Sequence, residues 1–146
     1  HAFYSALTDR APMIEYDIPP KRQQRARGSI EGAVPLEREV LRDVWKYLAH
    51  HPKVAWVTRI NSGGSYFDNN KGGEQFMRFN YKRGISDLIG QMKAQYGGKF
   101  LACECKREGA ELEEHQRDFL REVKNAGGVA FVARNLQDCV EALANV

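Results

Sequence analysis

Charge placed inside short apolar runs constrains this chain more than any other feature. The stretch from Gly84 to Lys106 reads as two strands, GISDLIG and KFLACECK, joined across MKAQYGG. Both are short, apolar and bounded by glycine-containing turns, as buried strands are. An ionised side chain on a buried strand is costly unless something answers it. Yet Asp87 lies in the first run, and Glu104 and Lys106 lie in the second. Side chains alternate along a strand, so Phe100, Ala102, Glu104 and Lys106 share one face and Leu101, Cys103 and Cys105 the other. Glu104 and Lys106 therefore project side by side, and pairing of the two strands brings Asp87 to them. Two carboxylates and an ammonium on one patch of sheet suit a hard divalent cation and an anionic substrate.

The flanking segments supply helices and further strands. Val34 to His50 has helical periodicity, with Pro35, Glu37 and Glu39 suited to its first turn. Its apolar face is Val40, Leu41, Val44, Tyr47 and Leu48; helical phase puts Glu37 on that inward face and Glu39 with Asp43, Lys46 and His50 toward solvent. VAWVTRI, from Val54 to Ile60, is a strand, followed by a turn at Asn61 to Gly64. SYFDNNKGGEQ reads as loop and QFMRFN as a strand. Tyr66, Arg78, Lys82 and Arg83 in this region are expected to form one wall of a nucleic-acid groove, although aromatics at such positions are more often core. A second helix, Glu111 to Asn125, turns Leu112, Gln116, Phe119, Leu120 and Val123 inward. Gln116 is the polar exception on that face, and a buried amide needs partners. VAFVA is a further buried strand, and Leu136 to Ala144 a closing helix with Asn135 as its cap. The order α-β-β-β-β-α-β-α predicts an α/β domain with a central mixed sheet flanked by helices.

The 146 residues suit one domain with a hydrophobic core, preceded by a basic arm over residues 1–28. The arm is broken by Pro12, Pro19 and Pro20 and ends in KRQQRARG, which carries Lys21, Arg22, Arg25 and Arg27 without an acid. Such a segment contacts DNA or wraps a partner, and serves equally as a solvated basic linker. No apolar run approaches the roughly 18 residues of a membrane helix, and no signal-peptide pattern is present, so a cytoplasmic protein without a membrane partner is expected. Cys103, Cys105 and Cys139 with four scattered His give no zinc framework and read as small buried hydrophobes. Net charge is only +3, but its distribution is uneven: ten Lys and Arg stand against four acids from Lys53 to Arg107. A basic zone around Asp87 and Glu104 fits a phosphate backbone.

Taken in order, LEREVLRDVWKYL, RINSGG, KRGISDLIG, GKFLACECK, LEEHQRDFL and NAGGVAFVA resemble the virus-type replication-repair nuclease (VRR-NUC) domain of the PD-(D/E)XK nuclease superfamily. An Asp followed by Glu-x-Lys is weak by itself; six segments in order are not. The resemblance spans Val34 to Leu143 and implies a restriction-endonuclease-like core, with residues 29–146 as the nuclease domain. It implies that Asp87 and Glu104 ligate Mg²⁺ or Mn²⁺, joined by Glu37 on the first helix and by the backbone carbonyl of Cys105. Lys106 would orient or deprotonate the attacking water, and Gln116 would hold Lys106 or that water. A similar Arg-x-Asn-x-Gly segment makes Arg59 and Asn61 substrate-positioning groups, against the plainer reading of a solvent-facing Arg and a turn-forming Asn. Ser86 stands where a Pro is common, and Cys105 where an aliphatic residue is more usual.

The function implied is a metal-dependent DNA endonuclease of phage or bacterial type that cuts branched DNA, of the Holliday-junction-resolving kind. It would act as a homodimer, since two sites about a two-fold axis match a four-way junction. The alternatives are a flap- or nick-directed nuclease and a catalytically silent DNA-binding subunit; Glu37, Asp87, Glu104 and Lys106, all intact, argue against the last.

Overall fold

The computed structural model describes residues 32–61 and 63–146; the basic arm, with Lys21, Arg22, Arg25 and Arg27, lies outside the described residues. Helix α1 (Glu37–Ala49) leads into strands β1 (Val54–Arg59), β2 (Gly64–Asp68), β3 (Glu74–Arg78), β4 (Leu88–Met92) and β5 (Phe100–Cys105). Helix α2 (Glu114–Asn125), strand β6 (Val129–Ala133) and helix α3 (Leu136–Ala144) complete the chain. Four strands make one mixed sheet in the order β1-β4-β5-β6. The first two pairings are antiparallel and β5–β6 is parallel. A parallel pair needs a long crossover, and α2 is that crossover.

Strand β5 is the axis of the domain. From Leu101 to Cys105 every side chain is buried, because both faces of the sheet are covered. On one face Leu101, Cys103 and Cys105 pack with Leu88, Met92 and Val54 under α1 and α3, which contribute Val40, Val44, Leu48, Cys139 and Leu143. The spacing of Val40, Val44 and Leu48 is one helical stripe. On the other face α2 lays Phe119, Leu120 and Val123 over Ala102 and Ala130. Alternation along β5 puts Glu104 on the Ala102 face, as the sequence predicts, and that face is the one α2 covers. Both long helices are tied at their starts: Glu39 Oε2 accepts from Leu36 N–H at 2.9 Å, and Gln116 Oε1 from Glu113 N–H at 3.0 Å. The Lys53 ammonium donates to the Leu143 carbonyl at 2.7 Å, answering an orphan acceptor at the end of α3.

Several boundaries differ from the sequence reading. Helix α1 begins at Glu37 rather than Val34, and α2 at Glu114 rather than Glu111. Strand β4 begins at Leu88, because Gly84 has φ +72 and the chain is still turning there. Gly64 to Asp68, expected as loop, is a strand paired antiparallel with β3 in a separate two-stranded sheet. The order among the described residues is therefore α-β-β-β-β-β-α-β-α. No helix among the described residues is long and apolar enough to cross a membrane.

Candidate active site

The register of β4 on β5, with Leu88 opposite Cys103, brings Asp87 alongside Glu104. Asp87 is fixed through its backbone and its side chain together. Its carbonyl accepts from Ile60 N–H at 2.8 Å and its Oδ2 from Cys105 N–H at 3.0 Å, which ties it to β1 and to β5. Its own N–H donates to Glu104 Oε2 at 3.3 Å. Glu104 is 2% exposed. Its other oxygen, Oε1, accepts from Gln116 Nε2 at 2.6 Å and lies 3.4 Å from Lys106 Nζ. Lys106 is held in turn by its N–H to the Ala133 carbonyl at 3.1 Å. Gln116 spends its oxygen on Glu113 N–H at the start of α2 and its amide N–H on Glu104, so both ends of the amide are fixed.

The acids outweigh the one ammonium among them. Burial, and then the Asp87 charge, push the Glu104 carboxyl up to about 7, against the opposing pull of Lys106. Burial also raises Asp87, opposed by the Cys105 N–H, Lys106 and Arg59, and reinforced by Glu37. A divalent cation would relieve both carboxylates. The donor set fits one: hard oxygens, with Asp87 Oδ1 accepting no hydrogen bond among the described residues, suit an ion that binds through one or two carboxylates and keeps several waters. Among the described residues no three His, Cys, Asp or Glu are grouped so as to hold a metal by side chains alone. The thiols do not contribute: Cys103, Cys105 and Cys139 are buried in the opposite layer, where interaction with the Cys105 thiol, and then burial, raise the Cys103 thiol, and burial pushes Cys139 up to about 12.

The remaining expected residues lie around this centre at different ranges. Glu37 is exposed rather than inward, because as the first residue of α1 it has no preceding turn to pack beneath; its charge still acts on Asp87. Arg59 ends β1, exposed, and its charge also acts on Asp87. Asn61 Oδ1 accepts from Gly63 N–H at 3.1 Å, the turn-forming role. Arg78, Lys82 and Arg83 line one cavity of about 360 Å³ with Asn80, Gly84, Ile85, His115 and Gln116. Gln116 is thus shared between this basic cavity and the buried Glu104. Lys82 also pairs with Glu122, and His115 Nε2 lies 3.1 Å from Glu113 Oε2.

Two residues beside the site, read from sequence only as part of the first strand, have features of their own. Gly84 lies so close to the first turn of α2 that a Cβ would stand 1.9 Å from the His115 carbonyl oxygen, and its positive φ is itself a glycine conformation. Its position between a basic pair and the ISDLIG run was the available signal. Ser86 is buried, and its hydroxyl has no hydrogen-bond partner among the described residues.

Comparison with curated proteins and with solved structures gives no match. Comparison with protein families does: the model of the VRR-NUC domain matches residues 38–135. The matched span contains Asp87, Glu104, Lys106 and Gln116 and begins one residue after Glu37. It covers more than half of the chain and the whole four-stranded sheet with the buried acid pair, so this chain belongs to the VRR-NUC domain family, a nuclease-type domain.

Proposed function

We propose that the domain is a metal-dependent DNA endonuclease with a PD-(D/E)XK core, that it hydrolyses phosphodiester bonds in branched DNA of the four-way junction type, and that it works as a homodimer. One observation carries the hydrolytic reading: a buried Glu104 held at once by Gln116, Lys106 and the Asp87 N–H, with Asp87 locked beside it. Asp87 and Glu104 would hold Mg²⁺ or Mn²⁺, with the Cys105 carbonyl and Glu37, direct or through water, as further donors. When bound, such an ion polarises the phosphate and lowers the pKa of a coordinated water. Lys106, 12% exposed, faces the acid pair from β5 and offsets charge gathering on the phosphate while orienting the attacking water. Gln116 fixes the Glu104 carboxylate so that it does not rotate away. Arg59 and Asn61, with Lys82 and Arg83 in the cavity that Arg78 also lines, track neighbouring phosphates. Lys21, Arg22, Arg25 and Arg27 add phosphate contacts from the arm.

The test is a cleavage assay on duplex, nicked, flap and four-way DNA with Mg²⁺ or Mn²⁺ and with EDTA. The expected result is cutting of four-way DNA that needs the metal and is absent in Asp87→Asn. Preference for flaps replaces the junction reading with the flap- or nick-directed one. Tight binding with no cutting of any substrate makes the chain a silent DNA-binding subunit.

A further inference from the structure

We propose that the β2–β3 hairpin is a dimerisation arm whose Tyr66–Phe76 face packs on the same face of a second copy. This rests on the homodimer of the reading above and assigns a surface to it. Three observations lead there. First, the hairpin makes only marginal contact with any other described helix or strand, and every residue of β3 is exposed. A lone two-stranded hairpin is marginal in water and gains its stability by packing on something. Second, its large apolar residues are bare: Tyr66 is 66% exposed and Phe76 49%. These two rings form a tilted pair with centroids 5.1 Å apart, and Phe76 leans over Gly64, where a Cβ would stand 2.5 Å from the ring.

Third, the charges on this face form a self-complementary pattern. Directly opposed residues share a face, so Gly64–Arg78, Tyr66–Phe76 and Asp68–Glu74 lie together, with Tyr66–Phe76 as the middle rung. On this face of the strands the tip end carries two acids, which outnumber Lys71 in the loop between them, and the base end one arginine. None of the three charged groups has an ion-pair partner among the described residues. A two-fold axis along the middle rung, between two packed sheets, reverses strand direction while keeping β3 over β3. It stacks the aromatic pairs and sets Glu74, two residues or about 7 Å from the axis, opposite the partner's Arg78. The acidic tip repels phosphate, which disfavours DNA as the occupant. The other face, Ser65, Phe67, Gln75 and Met77, carries no charge and sets no register. In the dimer Arg78 answers the partner's Glu74, and Lys82 and Arg83 keep the cavity basic.

The experiment is sedimentation equilibrium of the full chain, of Glu74→Arg, of Arg78→Glu, and of an equimolar mixture of the two variants, with melting curves to show that each is folded. Each variant alone sets like charges against one another and should self-associate at least about 10-fold more weakly. In the mixture both contacts are restored, one as in the wild type and one with its charges exchanged, so the two variants should pair with each other as tightly as the wild type. Wild-type dimers that persist unchanged in both variants, or variants that stay apart when mixed, overturn the surface while the homodimer stands. A wild type that is monomeric at every concentration overturns the homodimer and this inference together.

Discussion

The acid pair under α2 and the β2–β3 hairpin lie close in sequence and are built on opposite principles. Asp87 and Glu104 are buried, and each is fixed from two or more elements: Asp87 from β1 and β5, Glu104 from β5, α2 and the Asp87 backbone. The hairpin has the same kind of pairing but no layer above or below it among the described residues. A group fixed from several sides holds position for chemistry. A hairpin free of the core can be changed without touching the chemistry, and so is free to serve recognition. In the reading above, what is cut depends on the first region, and which DNA shape is cut depends on the second.

The largest expected effects would break this division if they failed. Asp87→Asn, Glu104→Gln and Lys106→Ala should each lower kcat by about 1,000-fold or more, with DNA affinity kept or raised in the two carboxylate variants because repulsion of phosphate falls. Replacing residues 65–77 by a short turn, which the Gly64–Arg78 rung can accept, should leave the melting temperature nearly unchanged because no core side chain is lost. Cutting by Asp87→Asn would dismantle the site, and a collapse of melting temperature on hairpin removal would erase the contrast.

A smaller effect sharpens the first region. Gln116→Ala removes both the α2 tie and the grip on Glu104, and should cost about 10- to 100-fold in kcat. Gln116→Glu keeps an acceptor for Glu113 N–H but sets a second carboxylate against Glu104. Its activity should therefore fall below that of the alanine variant as pH rises, a crossing that a pH profile of the two variants reads directly. Parallel profiles would mean that Gln116 acts only as a helix cap.

Next comes stability against pH in metal-free protein. Glu104 ionises near its ordinary 4.5 when unfolded and near 7 when folded. Between those values the folded chain holds the extra proton, so this group makes stability fall as pH rises from about 4.5 to about 7. Asp87, also raised, acts with the same sign. Urea titrations in EDTA should show that slope, and Glu104→Gln should flatten it. The smallest effect is at Ser86: Ser86→Ala removes a buried hydroxyl that no group among the described residues answers and should gain about 1 kcal/mol, read as a higher urea midpoint with unchanged cleavage.

Period-two alternation made the centre of the site legible from sequence. It is a rigid rule, so Glu104 and Lys106 had to emerge together from β5, and one strand pairing was enough to bring Asp87. Glu37 was harder, because helical phase describes a helix interior and Glu37 is the first residue of α1. The start of α2 was missed although Glu113 and Gln116 have capping-box spacing, since apolar Leu112 extended the periodic pattern backward. Strand β2 was missed because a hairpin exposed on both faces carries no burial signal, and its Gly and Asn neighbours read as loop. The cavity joining Arg78, Lys82 and Arg83 to Gln116 depends on how the turn before β4 meets α2, which no local pattern states.

That meeting has a consequence for mutational surveys. Gly84 has no charge, no side-chain polar atom and no reach to a phosphate. Any larger residue there must push aside the backbone turn that carries Gln116 to Glu104. A screen that reads only loss of cutting would score Gly84 beside the acids, although it touches nothing that reacts. Its signature would be a steric one: severity growing with side-chain volume and indifferent to side-chain chemistry.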